Sequence, residues 1–494
     1  MYFKHLYSHL TNDFNDAPRE ACGVFGMVAP SEEVARLAFF GLYALQHRGQ
    51  EGCGIATFDE SNIFIHKGVG LVSQVFDEDI LAKLKGQIVI AHTRYSTTGS
   101  NNLCNTQPIL VEVVNKQKNI TIALAHNGNL VNATGLRNLL IQKGYSFESA
   151  TDSEVIAKLI IFELCKSNNL QLAIKSAFKQ CIGAYSVVIG TNDYLIAARD
   201  PDGVRPLCIG ITNNGEHVIA SESCALDIIG ASFVRDVAPG EVIFIDRKQK
   251  LESSLFTSSV HPHHCIFELI YFSRPDSTFK GLSIYHFRRE LGRQLAREAP
   301  VQADYVISVP DSGTPAAIGF AEELKLPYGE ALIKNRYIGR TFIQPSQMLR
   351  ELGIRLKLNP LRDIIAGKKI VVVDDSIVRG NTSRKIVKLI KDSGAKEVHM
   401  RISSPPVKWP CFYGIDIDSR DQLIAAKSDT IDEITKFIEA DSLEYIGIQG
   451  MLKATGLQKE IFCTACFTGN YPIEIPPELE GAKLRYETKK VAKI

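Results

Sequence analysis

The chain has 494 residues, more than one hydrophobic core usually serves, so two or three domains are expected. Its 56 Lys and Arg against 55 Asp and Glu leave a formal charge of +1, which removes any net-charge argument for a nucleic-acid or membrane-surface partner. No apolar stretch approaches the roughly eighteen residues needed to span a bilayer, and residues 1–21 are too polar for a signal-peptide core, so a cytoplasmic protein is expected. Eleven cysteines, an odd count in a reducing compartment, argue against a disulfide framework and for buried thiols, a nucleophile and metal ligands.

In chain order, residues 1–21 read as a short polar leader, after which Cys22-Gly23-Val24-Phe25-Gly26-Met27-Val28 opens the first strand-like run. From there to about Asp246, strand-like runs at 87–91, 120–125, 184–189 and 241–245 mix with helical patterns at 34–46 and 154–164, which predicts layered sheet and helix. Residues 247–264, rich in Lys, Ser, His and Pro with weak periodicity, read as a linker. Beyond it, runs at 305–309, 370–373 and 397–402 alternate with helical patterns at 316–324 and 383–393, the signature of βαβ units on a parallel sheet. The tail after Pro476 is charged and poor in apolar residues, so loose order is expected.

The most informative run is Ile370-Val371-Val372-Val373-Asp374-Asp375-Ser376-Ile377-Val378-Arg379-Gly380-Asn381-Thr382. Four apolar residues, all of them β-branched, suit a strand covered on both faces. Gly380, Asn381 and Thr382 then open an amphipathic helix, where free amide donors and the helix dipole favour an anion. Asp374 and Asp375 fall at the carboxyl end of the strand, where open parallel sheets bind ligands and where two acids suit sugar hydroxyls or a magnesium-bound diphosphate. The segment resembles the ribose-phosphate signature of type I phosphoribosyltransferases. That resemblance implies that the paired acids contact the ribose hydroxyls and that Ser376, Gly380, Asn381 and Thr382 hold the 5-phosphate. It also assigns Val309-Pro310-Asp311-Ser312-Gly313 to the diphosphate or its metal, with Ser312 joining Asp374 and Asp375 around Mg²⁺. The cation-rich stretch from Lys334 through Arg336 to Lys357 becomes the loop that closes on phosphoribosyl pyrophosphate (PRPP), excluding water and countering the leaving diphosphate.

The amino-terminal half carries a second constellation. Cys22 is followed by Gln46-His47-Arg48-Gly49-Gln50-Glu51, by Ala91-His92-Thr93-Arg94-Tyr95-Ser96-Thr97, by Ala125-His126-Asn127-Gly128-Asn129-Leu130 and by Thr151-Asp152-Ser153-Glu154. These resemble, in order, the glutaminase motifs of N-terminal nucleophile amidotransferases. If the leader is removed before Cys22, the thiol carries its own α-amine, whose reference pKa of about 8 suits a base near neutral pH. The resemblance gives Asn127 and Gly128 the oxyanion hole, Arg94 with Thr97 the glutamine carboxylate side, and Asp152 the glutamine α-ammonium.

Cys265, Cys411 and the pair Cys463 and Cys466 support by spacing alone only a metal-binding guess: zinc, an iron–sulfur cluster, a redox pair and unrelated buried thiols all remain open. Their contexts resemble the iron–sulfur subclass of glutamine PRPP amidotransferases, in which these positions ligate a [4Fe-4S] cluster. Both halves together therefore resemble that family from Cys22 to about Pro472. The resemblance implies an α+β N-terminal nucleophile hydrolase domain of four αββα layers at 22–255 and an α/β type I phosphoribosyltransferase domain at 256–475. These are flanked by the 1–21 leader and a 476–494 tail. It further implies glutamine and PRPP as substrates, purine nucleotides as feedback inhibitors and a homotetramer. Two departures stand out: Ala21 precedes the nucleophile where an acid is usual, and Asn381 stands where threonine is frequent. Another amidotransferase sharing only the first half, and a non-catalytic PRPP-sensing regulator, are the competing readings. The acid pair opposes the former, and Cys22 with Asn127-Gly128 opposes the latter.

Overall fold

The computed structural model describes residues 22–30, 33–95, 102–114, 119–335, 358–417 and 419–479. Two antiparallel sheets build the first half. Strand β1 (Gly23–Val28) and strand β2 (Ile88–Arg94) are neighbours in a seven-stranded sheet, with Gly23 opposite Thr93 and Val24 opposite His92. Strand β3 (Asn119–Leu130) and strand β4 (Gly183–Gly190) are neighbours in a six-stranded sheet.

Both central pairs are buried on two faces, which is why they read as near-continuous apolar runs. Val24, Val28, Ile88 and Ile90 of the first sheet meet Ala123, Ala125, Val188 and Ala197 of the second in a core between the sheets. Helix α1 (Val34–Ala44) covers the outer face of the first sheet with Ala38 and Leu42 packed on Phe25 and Ala91. Helix α2 (Asp152–Ser167) covers the outer face of the second with Ile156, Leu159 and Ile160. The four-layer αββα expectation is met.

The 247–264 linker expectation is corrected in part. Leu251–Leu255 is the edge strand of the six-stranded sheet, paired antiparallel to Glu241–Asp246 after a turn in which the Asp246 carboxylate accepts from Lys250 N–H at 2.9 Å. An edge strand needs an apolar face less than backbone pairing, so its sequence shows little alternation. Phe256 still packs in the core under α2.

The second half centres on four parallel strands in sheet order β5 (Tyr305–Ser308), β6 (Lys369–Asp374), β7 (Glu397–Ile402) and β8 (Ser442–Tyr445). Strand alternation divides β6 between two cores. Val371 and Val373 face helices α3 (Ile284–Glu298) and α4 (Thr314–Leu324) through Phe287, Leu291 and Phe320, whereas Ile370 and Val372 face helix α5 (Asn381–Asp392) through Ile386, Val387 and Ile390. Within the second half, a short parallel ladder pairs His264 and Cys265 with Phe462 and Cys463. Among the described residues no helix is long and apolar enough to cross a membrane.

Candidate active sites and a four-cysteine locus

Cys22 stands at the head of β1, 8% exposed, its thiol donating to the Tyr95 carbonyl oxygen at 3.5 Å. Burial pushes the thiol above its usual range, while the Tyr95 contact and the Arg94 guanidinium oppose the shift. Asp152 and Arg48 also act on its charge. Arg94, buried at the end of β2, and Asp152, at the start of α2, are thus brought to the same thiol from different layers. Burial works against the Asp152 charge, yet His126, 3.6 Å away, and the Leu130 N–H, donating at 2.9 Å, outweigh it and hold the carboxyl below its usual range.

Asn127 lies on β3 opposite Ser186 with no exposed surface, and neither atom of its amide has a hydrogen-bond partner. Leaving a buried amide unpaired costs about 1–3 kcal/mol, so the fold tolerates this one against its own stability. Gly128 follows with φ +152°, and a Cβ there would lie 2.0 Å from the Ala184 carbonyl oxygen, so only glycine fits. Thr97 lies outside the described residues.

At the other centre, Asp374 ends β6 and Asp375 opens the following loop. The Asp375 N–H donates to Asp374 Oδ1 at 2.9 Å, Ser312 Oγ to Asp375 Oδ1 at 2.5 Å, and Ser376 Oγ to Asp375 Oδ2 at 2.6 Å. Ser312 thus reaches the acid pair, as expected. Burial raises both carboxyls, and the neighbouring Asp375 raises Asp374 further. Gly380, with φ +82°, turns the chain into α5, which places Asn381 and Thr382 in the first helical turn beside the acids. Lys334 pairs with Asp311 at 2.6 Å at the mouth of this region. Arg336, Lys357 and most of the expected closing loop lie outside the described residues.

Cys265, Cys411, Cys463 and Cys466 line one small pocket together with Arg205, Tyr413 and Tyr471. Cys265 and Cys463 face each other in the short parallel ladder, and the Cys466 carbonyl accepts from Lys408 and Trp409 N–H at 3.0 Å. Burial pushes the Cys265 thiol up to about 12, and burial followed by the other three sulfurs raises Cys466. Four thiols therefore converge here, and burial disfavours the thiolate form of Cys265, Cys463 and Cys466. Among the described residues, no group of three or more His, Cys, Asp or Glu could hold a single metal ion.

The sequence reading missed the buried charges between these places. The Arg48 Nε donates to the Cys22 carbonyl at 3.1 Å, and its other nitrogens pair with Glu222 and, at 2.7 Å, with Glu268. Glu268 also pairs with Arg205 at 2.8 Å, whose Nε donates to the Tyr413 carbonyl at 2.8 Å. All four side chains are buried. Arg48 lay inside a quoted motif, but its partners come from 174 and 220 residues away, a separation no local pattern encodes. Arg288 was likewise missed. Buried on α3, it donates to the Leu269 and Ser273 carbonyls and opposes the charge cost at Asp375.

The glutamine amidotransferase domain family matches residues 92–227, and the phosphoribosyl transferase domain family matches residues 284–403. An amidophosphoribosyltransferase of Synechococcus elongatus is 56% identical over 476 residues, covering 96% of this chain and 95% of that protein. One of Methanocaldococcus jannaschii is 48% identical over 469 residues, covering 92% of this chain and 98% of that protein. Among solved structures, the glutamine PRPP amidotransferase of B. subtilis complexed with ADP and GMP matches with a TM-score of 0.86 at 45% identity, covering 92% of this chain and 98% of that one.

Proposed function

The chain belongs to the amidophosphoribosyltransferase family, and from that premise we propose how its residues divide the work. The reaction hydrolyses glutamine to glutamate and passes the ammonia to PRPP, giving 5-phosphoribosylamine and diphosphate in the first committed step of purine nucleotide synthesis.

Removal of residues 1–21 makes Cys22 the first residue. Its α-amine takes the thiol proton, the sulfur attacks the glutamine side-chain carbonyl, and the carbon–nitrogen bond breaks as the amine returns the proton to the departing ammonia. Water then cleaves the thioester, releasing glutamate and restoring the thiol. An N-terminal amine on the nucleophile's own residue is a base of the kind that activates such nucleophiles. Asn127 Nδ2 and the Gly128 N–H receive the oxyanion, Arg94 and Thr97 take the substrate carboxylate, and Asp152 its α-ammonium. The observation that carries the glutaminase assignment is the buried, unpartnered Asn127 amide.

In the second domain, Ser376, Gly380, Asn381 and Thr382 hold the 5-phosphate, and Asp374 with Asp375 the ribose hydroxyls. Two adjacent buried carboxyls, one of them held by Ser312, fit a divalent cation, and Ser312, Asp374 and Asp375 would hold Mg²⁺ with the diphosphate. The ion would neutralise the leaving group's charge. Lys334, Arg336 and Lys357 add positive charge on the closing side. Ammonia attacks C1 of the ribose as the bond to diphosphate breaks, and keeping bulk water out keeps the ammonia unprotonated.

The four-cysteine cavity fits a [4Fe-4S] cluster by its all-sulfur donor set, and such a cluster would tie the segment around Cys463 to the second domain. We take 22–255 as the glutaminase unit, 256–475 as the transferase unit and 476–494 as a tail. The working form is a cytoplasmic homotetramer under purine nucleotide feedback, a regulation supported by the ADP and GMP of the B. subtilis relative.

The test is Cys22→Ala. It is expected to abolish glutamine-dependent phosphoribosylamine formation while sparing the reaction with added ammonia. Loss of both activities in a folded protein would overturn the division of labour. Intact mass and iron content of anaerobically purified protein check the mature terminus and the cluster together.

A further inference from the structure

Residues 411–414 belong by sequence to the second domain, yet they end against the backbone of Gly128. A Cβ built on Gly414, whose φ is +99°, would lie 2.9 Å from the Gly128 carbonyl carbon, 3.0 Å from its oxygen and 3.1 Å from its Cα. One residue on, Asn129 Nδ2 donates to the Phe412 carbonyl at 2.8 Å. The same segment is held from its far side: Arg205 Nε donates to the Tyr413 carbonyl, the Cys411 sulfur accepts from Tyr413 N–H at 3.4 Å, and the Tyr413 hydroxyl donates to the Ile473 carbonyl at 2.7 Å. The strand opposite Gly128 blocks movement the other way, because the Ala184 carbonyl already occupies the space a side chain would need. Gly128 is therefore clamped at its Cα and carbonyl between β4 of its own domain and a bend supplied by the other.

We propose that the 411–414 bend is a positioning element for the glutaminase reaction, with Gly414 and the Asn129–Phe412 hydrogen bond fixing the Cα and carbonyl of Gly128 and, through that Cα, the aim of its N–H. The inference rests on the reading of Asn127 and Gly128 as the oxyanion hole. An oxyanion donor acts only when it points at the transition-state oxygen, and misaiming it weakens transition-state binding far more than ground-state binding. The second domain thereby finishes a site whose reacting groups all lie in the first.

Gly414→Ala introduces the clash and a strained φ, and Asn129→Ala removes the tether without adding a group. Both are measured in the intact mature enzyme beside Asn127→Ala. The expected result for Gly414→Ala is a fall in glutaminase kcat of about 10- to 100-fold, with KM for glutamine within about two-fold of the parent. Ammonia-dependent phosphoribosylamine formation, iron content and the rate at which iodoacetamide alkylates Cys22 stay at parent values. Asn129→Ala is expected to show the same split at smaller amplitude. If Gly414→Ala does not accumulate as folded protein, Asn129→Ala decides alone. Unchanged kcat in the folded variants, with kcat collapsing in Asn127→Ala, overturns the positioning role and leaves the oxyanion reading standing. Unchanged kcat in Asn127→Ala overturns the reading beneath it. A fall in kcat accompanied by an equal fall in alkylation rate also overturns the proposal, because it would mean that the thiol, not the donor, had moved.

Discussion

Asn127→Ala separates catalysis from stability more sharply than any other substitution in this chain. Its amide is buried and neither polar atom is paired, so it contributes nothing to the folded state that an alanine would forfeit in hydrogen bonds. Removing such a group relieves about 1–3 kcal/mol of desolvation cost. The cavity left by a small carboxamide costs a fraction of the roughly 3–5 kcal/mol seen for whole leucine side chains, so the two terms nearly cancel or favour the variant. The catalytic term has the opposite sign: one oxyanion donor is worth about 3 kcal/mol, or roughly 10²- to 10³-fold in kcat. The expected variant has a thermal midpoint at or above the parent's, a KM for glutamine close to the parent's, glutamine-dependent kcat lowered by that factor, and full activity with ammonia. Differential scanning calorimetry and coupled glutamate and phosphoribosylamine assays measure all four. A variant that melts several degrees lower while hydrolysing glutamine normally would refute the reasoning, since the amide would then be a structural group.

Asp374→Asn should raise the thermal midpoint of the ligand-free protein at pH 7–8 while weakening PRPP binding on the order of 10- to 100-fold, the worth of one or two charged hydrogen bonds. A carboxyl whose folded pKa is raised carries no charge cost below its unfolded value near 3.9 and the full cost once pH has climbed past the folded value, so the stability gain should fade toward pH 4. Titration calorimetry and melting curves at several pH values measure both, and a midpoint lowered at neutral pH speaks against mutual repulsion of the acids. Burial pulls His92 down to about 3, so it stays neutral in the fold while the unfolded chain takes up a proton from about pH 6.5 downward. His92→Gln should flatten the loss of stability between pH 6 and 4 by up to about 1.4 kcal/mol per pH unit, and an unaltered slope would show that His92 titrates normally. Cys463→Ser is expected to lose iron and fold poorly. A well-folded, iron-free and fully active variant would remove the structural cluster from the account.

What the sequence disclosed and what it hid follow one physical line. The run 370–373 was legible because a strand covered on both faces must be apolar throughout, 397–402 because its Val398, Met400 and Ile402 alternate with polar residues, and α5 because a helix against a sheet must repeat its apolar positions every three or four residues. The acid pair and Ser312 were legible because strand ends in parallel sheets carry the ligand chemistry. Leu251–Leu255 was illegible because backbone pairing alone makes it a strand. The joining of Arg48 to Glu222, Glu268 and Arg205, and the seating of Gly414 on Gly128, were illegible because each depends on residues far apart in the chain. A buried arginine announces itself only when its carboxylates arrive in space.

The short ladder joining Cys265 to Cys463 has a consequence for how the protein is made. The first partner emerges from the ribosome just after the first domain is complete, and the second only near the close of translation. Throughout that interval the nascent second domain has one edge of its sulfur-lined chamber and lacks the other. The first domain, whose strands all precede this point, is free to fold meanwhile, as amino-terminal domains generally do. Premature termination before Cys463 should therefore yield a folded amino-terminal half attached to a carboxyl-terminal half that never closes, the sort of product cellular proteases recognise.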